Sequence, residues 1–240
     1  MMIRNAGLFA MGGAVALMLA AGPVQAGAAE TVQLAQAAPA MAPDRIYMMM
    51  TCVACHGKEG KGMLPGNKPT LPEYPVLAGQ DEAYMVAQIN DIIEGKRTGS
   101  NDATGNPRSH GMKGALLDTE GKPRISKDQI QQISAWLAKM DPIKPAGTPD
   151  AQKIEEGKKL YVANKCQTCH GVDGKKPTVK GYPQTAGQKK EYILIQIKDI
   201  RDGKRTNGKS KLMLPNVKNM TDQQMELVAE YLSQVDRTAK

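Results

Sequence analysis

Aromatic side chains are scarce in this chain: 240 residues include one Trp, one Phe and seven Tyr. A domain of about 100 residues has difficulty filling a core with so few rings, so another apolar body is expected inside it. Cysteine is equally sparse. All four cysteines fall in two short motifs, leaving no spare thiol for a nucleophile or an unusual metal ligand. No segment after the N-terminal leader is apolar enough to span a bilayer. Acidic residues are outnumbered, 24 Asp+Glu against 32 Lys+Arg, a formal net charge of +8.

What is present is a repeated motif. Cys52-Val53-Ala54-Cys55-His56 recurs as Cys166-Gln167-Thr168-Cys169-His170. C-x-x-C-H is the attachment signature of c-type haem. Two cysteines three residues apart on one helical turn reach both vinyl groups, and the next residue points at the metal. His56 and His170 are therefore the expected proximal ligands, and Cys52, Cys55, Cys166 and Cys169 the thioether carriers of two covalently bound haem c groups. A lone C-x-x-C pair also suits a redox dithiol or half a zinc site, but here every cysteine is in a motif that includes the histidine. A buried haem also supplies the missing apolar mass.

The first 26 residues read as a signal peptide: Arg4, an apolar run over residues 6–21, then Val24-Gln25-Ala26 as a small-x-small cleavage site. Cleavage after Ala26 would send the protein to the periplasm, where c-type haem is attached. Residues 27–43, rich in Ala, Gln and Pro, read as a disordered spacer. Asp44 is the expected N-cap of a short helix reaching Thr51, with Met48, Met49 and Met50 packing beside the haem.

The second half repeats the first. Tyr47 matches Tyr161, Tyr74-Pro75 matches Tyr182-Pro183, and Ala78-Gly79-Gln80 matches Ala186-Gly187-Gln188. Gly95-Lys96-Arg97-Thr98 matches Gly203-Lys204-Arg205-Thr206. Leu77-Ala78-Gly79-Gln80 is expected to open a helix with apolar positions at Tyr84, Val86, Ile89, Ile92 and Ile93, closed by Gly95 with basic residues in its last turn. Ser126 and Thr221 begin capping-box patterns ahead of the last helix of each half. The halves differ chiefly after Thr98, where residues 99–124 read as a long polar loop. The expected layout is a first domain over residues 44–141, a linker over 142–149 and a second domain over 150–240. The fold class is all-α.

A sixth ligand should lie after each Gly-Lys-Arg-Thr segment. In the second half Met213 is the candidate, in a loop, while Met220 is assigned to packing. In the first half Met112 is the candidate by symmetry, with His110 as the alternative. Thioether sulfur favours ferrous iron relative to a second imidazole.

C-x-x-C-H-G, then Ala-Gly-Gln, Gly-Lys-Arg-Thr, a Met and a capped helix, all twice over residues 44–238, resembles the dihaem cytochrome c4 family of class I cytochromes c. The resemblance implies two tandem helical domains with their haems close together. Their first and last helices would cross, bringing Tyr47 to Trp136 and Tyr161 to Tyr231. It also implies that the carbonyls of Pro75 and Pro183 accept the proximal imidazole N–H. The implied function is electron transfer between respiratory donors and a membrane-bound terminal oxidase or a similar acceptor. Alternatives are the cytochrome subunit of a periplasmic dehydrogenase, such as a sulfide-oxidising flavocytochrome, and a dihaem enzyme. Neither nucleic acid nor a small-molecule substrate is expected as a partner.

Charge is unevenly divided: residues 44–140 hold 12 basic and 11 acidic residues, residues 150–240 hold 18 and 11. The excess in the second domain suggests docking to an acidic redox partner. Mass spectrometry of the exported chain checks the leader and the cofactor together: the expected species begins at Gly27 and carries two haems.

Overall fold

The computed structural model describes residues 41–62, 74–145 and 148–238. The expected signal peptide, most of the expected spacer, residues 63–73, two residues of the expected linker and the last two residues lie outside the described residues. Among those described there are ten α-helices and no strand beyond two isolated bridges, Asn101–Pro107 and Leu117–Pro123.

The first domain contains α1 (Pro43–Met49), α2 (Val53–His56), α3 (Glu82–Ile93), α4 (His110–Leu116) and α5 (Lys127–Ala138). The second contains α6 (Ala151–Ala163), α7 (Gln167–His170), α8 (Lys190–Arg201), α9 (Leu214–Val217) and α10 (Asp222–Gln234). Each domain has its own core. In the first, Ile46 and Tyr47 of α1 and Met85, Ile89 and Ile92 of α3 meet Ile130, Ile133 and Leu137 of α5. In the second, Tyr161, Ile193, Ile197 and Ile200 meet Met225, Val228 and Leu232 of α10. The first and last helices cross as expected: the Tyr47 and Trp136 rings are 5.4 Å apart, and those of Tyr161 and Tyr231 5.7 Å. Both capping boxes form, at Ser126 with Gln129 and at Thr221 with Gln224.

Several local expectations are corrected. Helix α1 starts at Pro43, one residue before Asp44, and no side chain caps it. Proline at the first position has no N–H to leave unsatisfied, so Asp44 falls in the first turn. The helix ends at Met49 because Thr51 turns left-handed, with φ of 56°. Met48 and Met49 do not pack: they are 59% and 63% exposed, while Ile46, Tyr47 and Met50 supply the inward face. Leu77-Ala78-Gly79-Gln80 is a turn, and α3 begins only at Glu82, where Asp81 accepts the Tyr84 N–H at 2.7 Å. No basic residue lies in the last turn of α3; Lys96 and Arg97 follow it. The 99–124 segment is not all loop. It contains α4, whose Leu116 is buried against the first core.

The α6–α10 crossing is closer than a side chain permits. A Cβ on Gly157 would sit 2.0 Å from the Leu227 carbonyl oxygen and 2.8 Å from Tyr231 Cβ. Gly157→Ala should lower stability by about 1–3 kcal/mol through overpacking. Gly114→Ala in α4 meets nothing within 4 Å and should instead raise it by about 0.5–1 kcal/mol through helix propensity. Thermal unfolding of the two variants checks the contrast.

Candidate haem-binding site

Each haem motif is held by the same local device. The residue before the first cysteine is left-handed in both halves, Thr51 at φ 56° and Lys165 at φ 58°. This reversal ends α1 and α6 and starts the single turn that carries both cysteines. The turn closes on Gly57 or Gly171, at φ 69° and 82°. A Cβ on Gly57 would lie 2.1 Å from the Gly62 carbonyl oxygen, so only glycine fits. The carbonyls of these glycines accept hydrogen bonds from Tyr47 Oη at 2.9 Å and Tyr161 Oη at 2.8 Å. The crossing helices thereby anchor the end of each motif.

His56 and His170 are buried. Their Nδ1 atoms stand 3.0 Å from the carbonyl oxygens of Pro75 and Pro183. A carbonyl only accepts, so Nδ1 carries the proton and donates, leaving the Nε2 lone pair free. Burial holds both imidazoles below their ordinary pKa. The positive charges of Lys189 and Arg97 add to this at His56, and that of Arg205 at His170. Both rings thus stay neutral, the form that ligates a metal.

The cysteines suit attachment better than free-thiol chemistry. Burial pushes the Cys52 and Cys166 thiols up to about 11, whereas redox-active and zinc-binding cysteines have depressed values. Among the described residues there is no group of three or more His, Cys, Asp or Glu able to hold a metal ion.

In the first domain, Cys52, Cys55, His56, Pro75 and Met112 line one cavity of about 320 Å³. In the second, Cys166, Cys169, His170, Pro183 and Met213 line another of about 470 Å³. Both volumes are in the range of small cofactor sites, about 300–1,000 Å³. A third, largely apolar cavity is lined from both domains, by His56 and Met112 on one side and His170 and Met213 on the other. Met112 lies in α4 and Met213 at the end of a 3-10 turn, Ser210–Met213, so neither is in the loop expected for it. His110 is exposed, in a separate surface cleft with Lys113, Leu117 and Arg124. Met220 is in the second core.

Residues that were read from sequence only as helix-end signals meet where the domains join. Arg205 is buried and reaches across to Tyr84 Oη at 3.1 Å and Gln88 Oε1 at 3.0 Å, besides Gln196 Oε1 at 2.7 Å in its own domain. Its counterpart Arg97 donates to Tyr192 Oη at 2.8 Å and Gln196 Oε1 at 3.1 Å. Both guanidiniums line the first cavity, and Arg205 also lines the second. Their polar partners here are neutral, and a charge removed from water favours an anionic counterpart. Haem carboxylates would supply that charge, so the donor set, the apolar linings and the cations all fit haem. The recurrence of Gly-Lys-Arg-Thr in both halves was the available signal.

A covalently haem-carrying pair of helical domains, each with a histidine and a methionine on one cavity, defines a dihaem c-type cytochrome. The cytochrome c family profile matches residues 41–141 and 154–236, and the chain belongs to that family. Within it, the chain is similar to cytochrome c4 of Azotobacter vinelandii, 29% identical over 75% of this chain and 82% of the relative. It is 30% identical to the thiosulfate dehydrogenase electron acceptor of Thiomonas intermedia, over 76% of this chain and 77% of that one. The crystal structure of reduced recombinant cytochrome c4 from Pseudomonas stutzeri matches with a TM-score of 0.64 and 25% identity, covering 81% of this chain and 98% of that one. The protein is a cytochrome c4-like dihaem electron carrier.

Replacing Tyr47 or Tyr161 by Phe keeps the ring contact and deletes the anchor. Each change removes one of the two hydrogen bonds that a buried glycine carbonyl accepts, the other coming from the Gly60 or Gly174 N–H, and should cost about 0.5–1.5 kcal/mol. Denaturant unfolding with haem stoichiometry unchanged is the expected result.

Proposed function

We propose that Cys52 and Cys55 carry one haem and Cys166 and Cys169 the other. His56 and Met112 would hold the first iron, and His170 and Met213 the second. The observation that carries this is the pairing in each domain of a proline-held histidine with a methionine on the same cavity. The exposure of His110 supports Met112 as the first sixth ligand.

Haem c supplies reversible one-electron chemistry. The chain's own residues hold it without offering an open coordination position. The imidazoles are oriented by the proline carbonyls, the methionines on the same cavities would complete the iron's ligands, and Arg97 and Arg205 would offset the haem carboxylates. With a histidine and a methionine held for each iron, electrons would pass and no substrate would be transformed. The cavity that His56 and His170 both line would connect the two centres.

The protein acts in the periplasm, exported by a leader cleaved after Ala26. It accepts electrons from a respiratory or sulfur-oxidising donor and delivers them to a terminal oxidase or similar acceptor. The Thiomonas relative, by its name, accepts electrons from thiosulfate dehydrogenase. This supports a periplasmic dehydrogenase as donor, with a cytochrome subunit of such a dehydrogenase as the second reading.

The second-domain cavity is the docking mouth. Lys180, Lys209 and Leu212 line it, and Leu212 is 60% exposed. Lys209 Nζ stands 4.6 Å from the centre of the Tyr182 ring. An exposed apolar contact beside lysines suits an acidic redox partner, whose association should weaken as salt rises.

Met112→Ala and Met213→Ala test the ligands. Each should abolish about half of the methionine–iron charge-transfer band of the oxidised protein and open one haem to carbon monoxide in the reduced state. A full band in either variant, or only half of the two-haem band in the wild type, rejects the assignment.

A further inference from the structure

The interface between the domains carries a hydrogen-bond pattern that is crossed. Pro75 and Val76 share one peptide group. Its carbonyl oxygen faces His56 Nδ1 at 3.0 Å, and its N–H donates to Gln188 Oε1 of the second domain at 2.8 Å. Gln188 Nε2 returns a bond to the Val76 carbonyl at 2.9 Å. The mirror arrangement holds the other site. Pro183 and Gln184 share a peptide whose carbonyl faces His170 Nδ1 at 3.0 Å. Its N–H donates to Gln80 Oε1 of the first domain at 2.8 Å, and Gln80 Nε2 donates to the Gln184 carbonyl at 2.9 Å. Both glutamines are buried, at 5% and 7% exposure.

We propose that Gln80 and Gln188 are positioning residues that set the proximal ligand of the opposite domain: Gln188 acts on the haem held by His56, and Gln80 on the haem held by His170. The inference rests on the axial-ligand reading above. Its basis is that hydrogen bonds in series polarise one another. An acceptor on the N–H side of a peptide raises the basicity of its carbonyl oxygen. A stronger carbonyl pulls harder on the imidazole Nδ1–H and makes the ring a better donor to the metal. The bidentate grip on Val76 and Gln184 also fixes the plane in which each carbonyl lies. Half of each tuning chain therefore belongs to the other domain, and the electronics of one centre depend on the docking of its neighbour.

The test uses the full dihaem protein with Gln188→Met, and Gln80→Met as its mirror. Methionine keeps the side-chain volume and removes the acceptor. Haem methyl resonances assigned by domain give each haem's potential, and NMR of the reduced protein gives hydrogen exchange at each imidazole Nδ1–H. Gln188→Met should raise the potential of the first-domain haem and speed exchange at His56, with the second-domain haem and His170 unmoved. Gln80→Met should do the reverse, and either variant carries the test if the other fails to fold. A shift in the domain that bears the substitution, an equal shift in both, a fall in potential, or no shift overturns the proposal. Wild-type spectra separate the two levels. Absence of methionine–iron bands in wild type removes the ligand reading and this inference with it, whereas intact bands without a crossed shift remove only the inference.

Discussion

The interaction on which the rest depends is the hydrogen bond from a buried imidazole Nδ1–H to a proline carbonyl, made once per domain at 3.0 Å. It chooses the tautomer, leaves Nε2 free, and holds the ring at one angle in an apolar setting. Much of the surrounding structure delivers the two ends of that bond. The left-handed residue before each first cysteine and the left-handed glycine after each histidine confine the motif to a single turn. Tyr47 and Tyr161 tie the end of that turn to the helix crossing. The proline arrives from a segment clamped by the other domain. Proline also suits the position because it needs no partner for a backbone N–H.

Duplication accounts for the interface as well as the domains. Tyr84 and Tyr192, Gln88 and Gln196, Arg97 and Arg205, and Gln80 and Gln188 are pairs of equivalent residues. The first three pairs share one network across the boundary, and the two glutamines each grip the opposite domain. Such a surface is self-complementary, the property that lets identical subunits form a two-fold dimer. The chain reads as that dimer joined into one polypeptide. Departures from symmetry are also informative. Asn207, from the second domain alone, bonds Gln88 and Asp91. Arg237, from the segment after α10, donates to the carbonyls of Ala78 and Gly79 in the first domain. The inserted stretch after Thr98 builds α4, and with it the wall that presents Met112.

Much of the site was legible because covalent chemistry demands local spacing. C-x-x-C-H on one turn names the haem carriers without reference to the fold, and the repeat shows that there are two. The crossing of terminal helices was implied by the resemblance to the cytochrome c4 family, and the matched aromatic positions fall at that crossing. Misreadings arose where pattern and burial part company. Met48 and Met49 are apolar residues on the outer face of a seven-residue helix. Ala-Gly-Gln and Gly-Lys-Arg-Thr looked like helix-boundary signals, because Gly, polar and basic residues do mark boundaries. Their interface role depends on contacts about 95–120 residues away in sequence, as between Arg97 and Tyr192 or Arg205 and Tyr84.

By itself, then, the sequence determined the cofactor class, the number of centres, the helical repeat and the basic bias of the second half, all properties carried by short-range spacing or by composition. Only the tertiary structure decided which of Met112 and His110 shares a cavity with His56, what the repeated arginines and glutamines touch, and that each proline peptide is gripped from the opposite domain. Those outcomes depend on how two separately folded cores present their surfaces to each other, and hydrogen-bond geometry between segments distant in the chain has no signature in local periodicity.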